Sequence, residues 1–208
     1  MVDYHTHTAR CGHAYGTVEE YIEYALSQKI REIGFSDHAP MPEAEREGYT
    51  MSVGEVEPYI ASLEEHRRRY EGSIAVRIGF EVDYPLLGSF AGGYFTDPRV
   101  DYLIGSCHFI DGWAFDHPDF IDEYRKRDID DIHDRYFAIM EAMAASRLFD
   151  VVGHFDIVKK FGYRPTRDFR SSVEKIARLL AAAGTAVEIN TAGLAHRAGE
   201  MYPSEDIL

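Results

Sequence analysis

Short apolar runs alternate with longer amphipathic stretches along the whole chain. The runs at 1–5, 31–36, 74–82, 100–106, near 149–153 and at 185–190 are rich in β-branched and aromatic residues, which predicts strands. Between them the pattern predicts helices. Thr17 with Glu20 makes a capping box for a helix to about Lys29, and Ser52 with Glu55 makes a second for a helix to about Tyr70. Residues 130–147 are strongly amphipathic, and a helix over 168–184 is closed by Gly184. Pro40 and Pro42 mark a polar loop, while Gly88, Gly92, Gly93 and Pro98 mark a loop or short helix. Apolar strands separated by helices predict an α/β fold with a parallel sheet. No repeat, low-complexity segment or linker interrupts the chain, so residues 1–208 read as a single domain.

The strand ends carry the chemistry. His5 and His7 end the first strand, spaced so that both side chains leave one face. His38 follows the second, Glu81 the third, His108 the fourth and His154 the fifth. Imidazole and carboxylate are divalent-metal ligands, and strand C-termini converge on one face in α/β barrels. Taken singly, the His5–His7 pair reads equally as a chance pairing, and His108 and His154 each read more readily as hydrogen-bonded core residues than as ligands; repeated at successive strand ends, they describe one metal cluster. Glu81 closes a run too apolar to bury an unpaired acid cheaply, and its carboxylate can bridge two ions. His13 adds an imidazole from the loop after the first strand. Asp37 is expected to orient the His38 imidazole or to cap a turn. His117 reads as a substrate contact or a solvated loop residue. His66 and His133, on helices among charged neighbours, read as surface. Cys107 is expected to point away from His108 and to pack as a small apolar group.

Composition narrows the setting. The chain has 208 residues and a net charge of −14, which argues against general nucleic-acid affinity. No apolar run approaches a membrane span and no signal peptide is evident, so no membrane partner is expected. Two cysteines, Cys11 and Cys107, are too few for a disulfide framework, so a cytoplasmic location is expected.

The motifs His5-Thr6-His7, Cys11-Gly12-His13, Phe35-Ser36-Asp37-His38-Ala39-Pro40, Gly79-Phe80-Glu81, Gly105-Ser106-Cys107-His108-Phe109 and Gly153-His154-Phe155-Asp156 together resemble the polymerase-and-histidinol-phosphatase (PHP) superfamily. Lys159-Lys160-Phe161-Gly162, Asn190-Thr191-Ala192-Gly193-Leu194 and Tyr202-Pro203 resemble its histidinol-phosphate phosphatase branch. The resemblance implies a distorted (β/α)7 barrel holding up to three divalent ions, whether zinc, iron or manganese. One ion would take His5, His7 and Glu81; a second would take Glu81, His108 and His154; a third would take His13 and His38. Asp37 and Asp156 would support these ligands. The family completes two sites with an Asp-x-His motif that does not follow Asn190 here. With Ser204, Glu205 and Asp206 reading as the start of a helix, this predicts a C-terminally truncated chain lacking the last strand-helix unit.

The implied activity is metal-dependent hydrolysis of L-histidinol phosphate to L-histidinol and phosphate, a step of histidine biosynthesis. Lys160, Arg164 and Arg197 are the phosphate-binding candidates, though each also reads as ordinary surface charge. Asp83 and Asp116 are candidates to bind the substrate's ammonium or to donate a proton, and Glu81, Asp83 and His117 make up the catalytic set. Another phosphoesterase of the superfamily, or an inactive metal-binding or regulatory domain, is the alternative.

Overall fold

The computed structural model describes residues 1–41, 49–89 and 93–208, without the side chains of 88 and 89. Pro42 and Gly92, expected in loops, lie outside the described residues. The backbone groups into two compact units, one of residues 1–82 and 86–104, the other of residues 83–85 and 105–208.

In the first unit the strands β1 (Val2–Thr6), β2 (Glu32–Phe35) and β3 (Ala75–Asp83, of which Asp83 belongs to the second unit) lie in parallel order, with β4 (Tyr102–Ser106) next to β3. Helix α1 (Val18–Ser27) opens on the expected capping box of Thr17 and Glu20. The Ser52–Glu55 box also forms, but it opens a single 3-10 turn, Val53–Glu55, from which α2 (Val56–Arg69) continues. Ile22, Phe35, Ile60, Leu63, Ile78 and Phe80 form the buried core. Gly34 and Gly79 interrupt β2 and β3 at places where a Cβ would collide with the ring of Tyr102. A strand glycine with no side chain lets that ring lie across the sheet, and its hydroxyl reaches the Tyr4 carbonyl at 2.6 Å.

In the second unit the last residues of β4 are followed by a hairpin of β5 (Phe109–Ile110) and β6 (Trp113–Ala114), then by α3 (Ile129–Ser146), β7 (Val151–Val152), α4 (Arg170–Ala183) and β8 (Ala186–Val187). β7 and β8 pair in parallel, and Gly153 N–H reaches back to the Gly105 carbonyl at 3.0 Å. The β5–β6 hairpin is absent from the sequence reading because two-residue strands are too short to show periodicity. Asp111 and Gly112 turn it, both at positive φ. Helix α3 buries Ile132, His133, Tyr136, Phe137, Met140, Met143 and Ala144 along one stripe. His133 is therefore not a surface residue as expected. It falls four residues before Phe137 on the apolar face, and its Nδ1 meets the Ile129 carbonyl at 2.9 Å. Gly184 ends α4 in the left-handed conformation, as expected of a C-cap. Residues 203–208 form a turn in which the Ser204 carbonyl accepts from Ile207 N–H at 2.9 Å and from Leu208 N–H at 3.3 Å, the bonds with which a helix begins. Ser204 N–H donates to Asp156 Oδ2 at 3.1 Å.

Candidate metal site

Three imidazoles of the first unit converge on one carboxylate oxygen. Nε2 of His5 and of His7 each lie 3.2 Å from Glu81 Oε2, and Nε2 of His38 lies 3.3 Å from it. His13 joins from the loop after β1, its ring 4.9 Å from that of His7 and 5.5 Å from that of His38. The backbone enforces this meeting. Beyond the strands proper, pairing continues from Ser36 N–H to the Thr6 carbonyl at 2.9 Å, from Ala39 N–H to the Glu81 carbonyl at 2.8 Å and from Glu81 N–H to the Asp37 carbonyl at 3.2 Å. His38 and Glu81 are thereby held side by side.

The donor set fits a divalent cation. Tetrahedral ligands about 2.0–2.2 Å from zinc stand roughly 3.3–3.6 Å apart, close to the spacings around Glu81. The ligand atoms of His5, His7 and Glu81, and those of His7, His13 and His38, form sets with all members within 4.8 Å of one another. Glu81 is 1% exposed, where an uncompensated charge is strongly disfavoured. Burial, then the neighbouring His7, holds the His13 imidazole below its ordinary pKa, which favours the neutral form that binds metal.

Asp37, expected to orient the His38 imidazole or to cap a turn, ties down the loop after β1. Its Oδ1 accepts from Thr8 N–H at 2.7 Å and from the Cys11 thiol at 2.8 Å, and its Oδ2 accepts from the Thr8 hydroxyl at 2.8 Å. The buried Tyr59 hydroxyl accepts from Asp37 N–H at 3.3 Å and donates to the Gly79 carbonyl at 3.0 Å. Burial, then the Asp37 charge, pushes both the Cys11 thiol and the Tyr59 phenol upward.

In the second unit His108 and His154 face each other, Nε2 to Nε2, at 3.2 Å. The carboxylate that orients an imidazole here is Asp83, whose Oδ1 accepts from His108 N–H at 3.0 Å and lies 2.9 Å from His108 Nδ1. His154 sits at φ 22°, in a region most side chains avoid, and its N–H donates to Glu188 Oε2 at 2.7 Å. Sequence reasoning missed Glu188, which lies within the apolar run 185–190 and directly follows β8.

The remaining expected site residues divide. Lys160 Nζ lies 3.1 Å from Asp116 Oδ2. Burial pushes the Asp116 carboxyl up, but His108, Lys160 and His154 outweigh it and hold it below its ordinary value. Arg164 is exposed, pairing with Glu200 and donating to the Ala198 carbonyl at 3.0 Å. Arg197 is exposed. His117 caps the 3-10 segment Pro118–Lys126, its Nδ1 accepting from Asp119 N–H at 3.3 Å. Asp156, expected beside a histidine, binds the buried ammonium of Lys159 at 2.6 Å. Lys159 reaches Glu200 at 2.9 Å as well. Cys107 is buried with its thiol toward the Phe109 carbonyl at 3.5 Å, as expected of a packing residue.

The PHP domain model matches residues 3–192. The chain belongs to the PHP family. Within it the chain falls in the histidinol-phosphatase branch. It is 35% identical to a Deinococcus radiodurans protein named probable histidinol-phosphatase, over its whole length and 80% of that protein. A candidate histidinol phosphatase from Listeria monocytogenes superposes with a TM-score of 0.84 at 22% identity, covering all of this chain and 89% of that one. The histidinol phosphate phosphatase of Lactococcus lactis, solved with zinc, L-histidinol and phosphate, gives 0.76 at 20% identity, covering 99% of this chain and 78% of that one. These solved structures establish the α/β fold of the PHP type read from the sequence.

Proposed function

We propose that this chain is a metal-dependent phosphomonoesterase that hydrolyses L-histidinol phosphate to L-histidinol and phosphate. The observation that carries the reading is the convergence of His5, His7 and His38 on the buried Glu81 oxygen, in a chain 35% identical to a protein named probable histidinol-phosphatase. His5, His7 and Glu81 form one ligand set, His13 and His38 contribute to another, and His108 with His154 form a pair of candidate ligands in the second unit. Zinc, iron or manganese suits these donors. Bound divalent ions supply the positive field that phosphate needs in a chain of net charge −14 and acidify the attacking water.

The chain's own groups orient and discriminate. Asp83 holds the His108 ring. Lys160, half-buried beside Asp116, is favoured as the phosphate contact over the exposed Arg164 and Arg197. Asp116 is then placed to receive the substrate's ammonium once Lys160 turns to phosphate. His117 caps the Pro118–Lys126 segment and is also a candidate substrate contact. Among the described residues no helix is long and apolar enough to cross a membrane, and two buried free thiols suit a reducing cytoplasm. The test is phosphate release from L-histidinol phosphate with zinc or manganese added, run beside a panel of other phosphomonoesters and a phosphotyrosine peptide. Metal-dependent turnover that prefers another panel member would overturn the substrate; no metal-dependent turnover of any would overturn the enzyme reading.

A further inference from the structure

His7 stands at the centre of the first unit's imidazoles, and its two ring nitrogens face different partners. Nε2 faces Glu81 at 3.2 Å, and Nδ1 faces the sulfur of Cys11 at 3.3 Å. That sulfur is fully buried and has two further contacts: it donates to Asp37 Oδ1 at 2.8 Å and accepts His38 N–H at 3.0 Å. A thiol carries one hydrogen, and an ionised carboxylate can only accept. With that hydrogen directed to Asp37, the sulfur offers His7 lone pairs alone. The contact at 3.3 Å is then a hydrogen bond only if Nδ1 carries a proton. In the neutral ring this leaves the lone pair on Nε2, the nitrogen aimed at Glu81. Two acceptors this close require a proton or a cation between them.

We propose that Cys11 is a positioning residue for the metal centre: Asp37 takes the thiol hydrogen, the sulfur takes His7 Nδ1–H, and Nε2 of His7 is thereby presented to a divalent cation. Carboxylates and carbonyls commonly fix the tautomer of a ligating histidine, as Asp83 does for His108; here a thiol relays the carboxylate. The same sulfur anchors the His38 backbone, so one side chain sets two candidate ligands from different segments. Cys11 is not itself a ligand in this arrangement, because its sulfur is engaged by Asp37, His38 and His7. The inference rests on His7 being a metal ligand.

The test uses the full chain loaded with zinc or cobalt. Imidazole nitrogen NMR of the zinc form should show His7 protonated at Nδ1 and metal-bound at Nε2, and the cobalt form should lack a sulfur-to-metal charge-transfer band. Ligation through Nδ1, or a strong charge-transfer band, overturns the proposal without any variant. Zinc affinity measured against a chromophoric chelator should fall about 10–100-fold in Cys11→Ala. Cys11→Ser, which keeps one hydrogen and lone pairs on a shorter arm, should recover most of it. His7→Ala is the reference: if it falls and Cys11→Ala does not, the role of Cys11 is wrong. If His7→Ala matches the wild type, the reading of His7 as a ligand is wrong, and this inference falls with it.

Discussion

Replacing Asp83 with Asn separates two roles for a buried acid. The side chain is 1% exposed, and its Oδ1 serves both His108 N–H at 3.0 Å and His108 Nδ1 at 2.9 Å. Asn keeps the shape and an acceptor oxygen but removes the charge. A hydrogen bond to a charged acceptor contributes about 1.5–3 kcal/mol and a neutral one about 0.5–1.5, so two weakened bonds lose roughly 2–3 kcal/mol. Relief from burying a carboxylate returns part of this, leaving a net loss of about 1–2 kcal/mol. For a chain of this size that is a fall in Tm of about 2–8 °C. Zinc affinity should drop about 10–100-fold, because the freed His108 ring loses its fixed orientation. Thermal unfolding of the metal-free chain and chelator competition measure the two effects. If Asp83 were a proton donor instead, turnover would fall about 10²–10⁴-fold with zinc affinity unchanged. Zinc affinity within twofold of wild type and an unshifted Tm would refute the orienting role.

Glu81→Gln should lower metal content and phosphatase activity together while circular dichroism stays native; the affinity loss should exceed the roughly 10–100-fold typical of a residue that only orients a ligand. Unchanged metal stoichiometry would show that Glu81 does not hold the ion. Lys159→Met leaves Asp156 buried without its ammonium; losing one partner of a buried pair costs about 3–5 kcal/mol, so Tm should fall on the order of 10 °C. Adding Asp156→Asn should restore part of it, and an undisturbed single variant would show the pair to be unimportant. Burial holds the His133 imidazole below its ordinary value, so its folded pKa lies under its unfolded one. Its stabilising contribution is complete above about pH 6.5 and is lost as pH falls from there through the folded value, by up to about 1.4 kcal/mol per pH unit. Urea midpoints at pH 8 and pH 5 should therefore converge in His133→Phe relative to wild type; equal pH dependence in both chains would contradict its burial as a neutral group.

Local chemistry made much of this protein legible in its sequence. Capping boxes at Thr17 and Ser52, the left-handed Gly184 and the stripe of Tyr136, Met140 and Met143 depend on contacts three or four residues apart, so the sequence alone determines them. The ligand types at the strand ends are legible too, because a His or Glu directly after an apolar run is expensive to bury without a partner. Partner choice is another matter, since it follows from strand adjacency. Asp37 precedes His38, but successive side chains of extended backbone point opposite ways, and its carboxylate meets Thr8 and Cys11 instead. The acid that holds His108 comes from Asp83, which lies 25 positions away along the chain. His133 looked solvated beside Asp131 and Asp134, yet the helix turns it onto the side of Phe137 and Phe169. Sequence determined which residues carry the chemistry; only the tertiary structure decided which hydrogen-bond partner each one has, because hydrogen bonds reach about 3 Å through space whatever the separation along the chain.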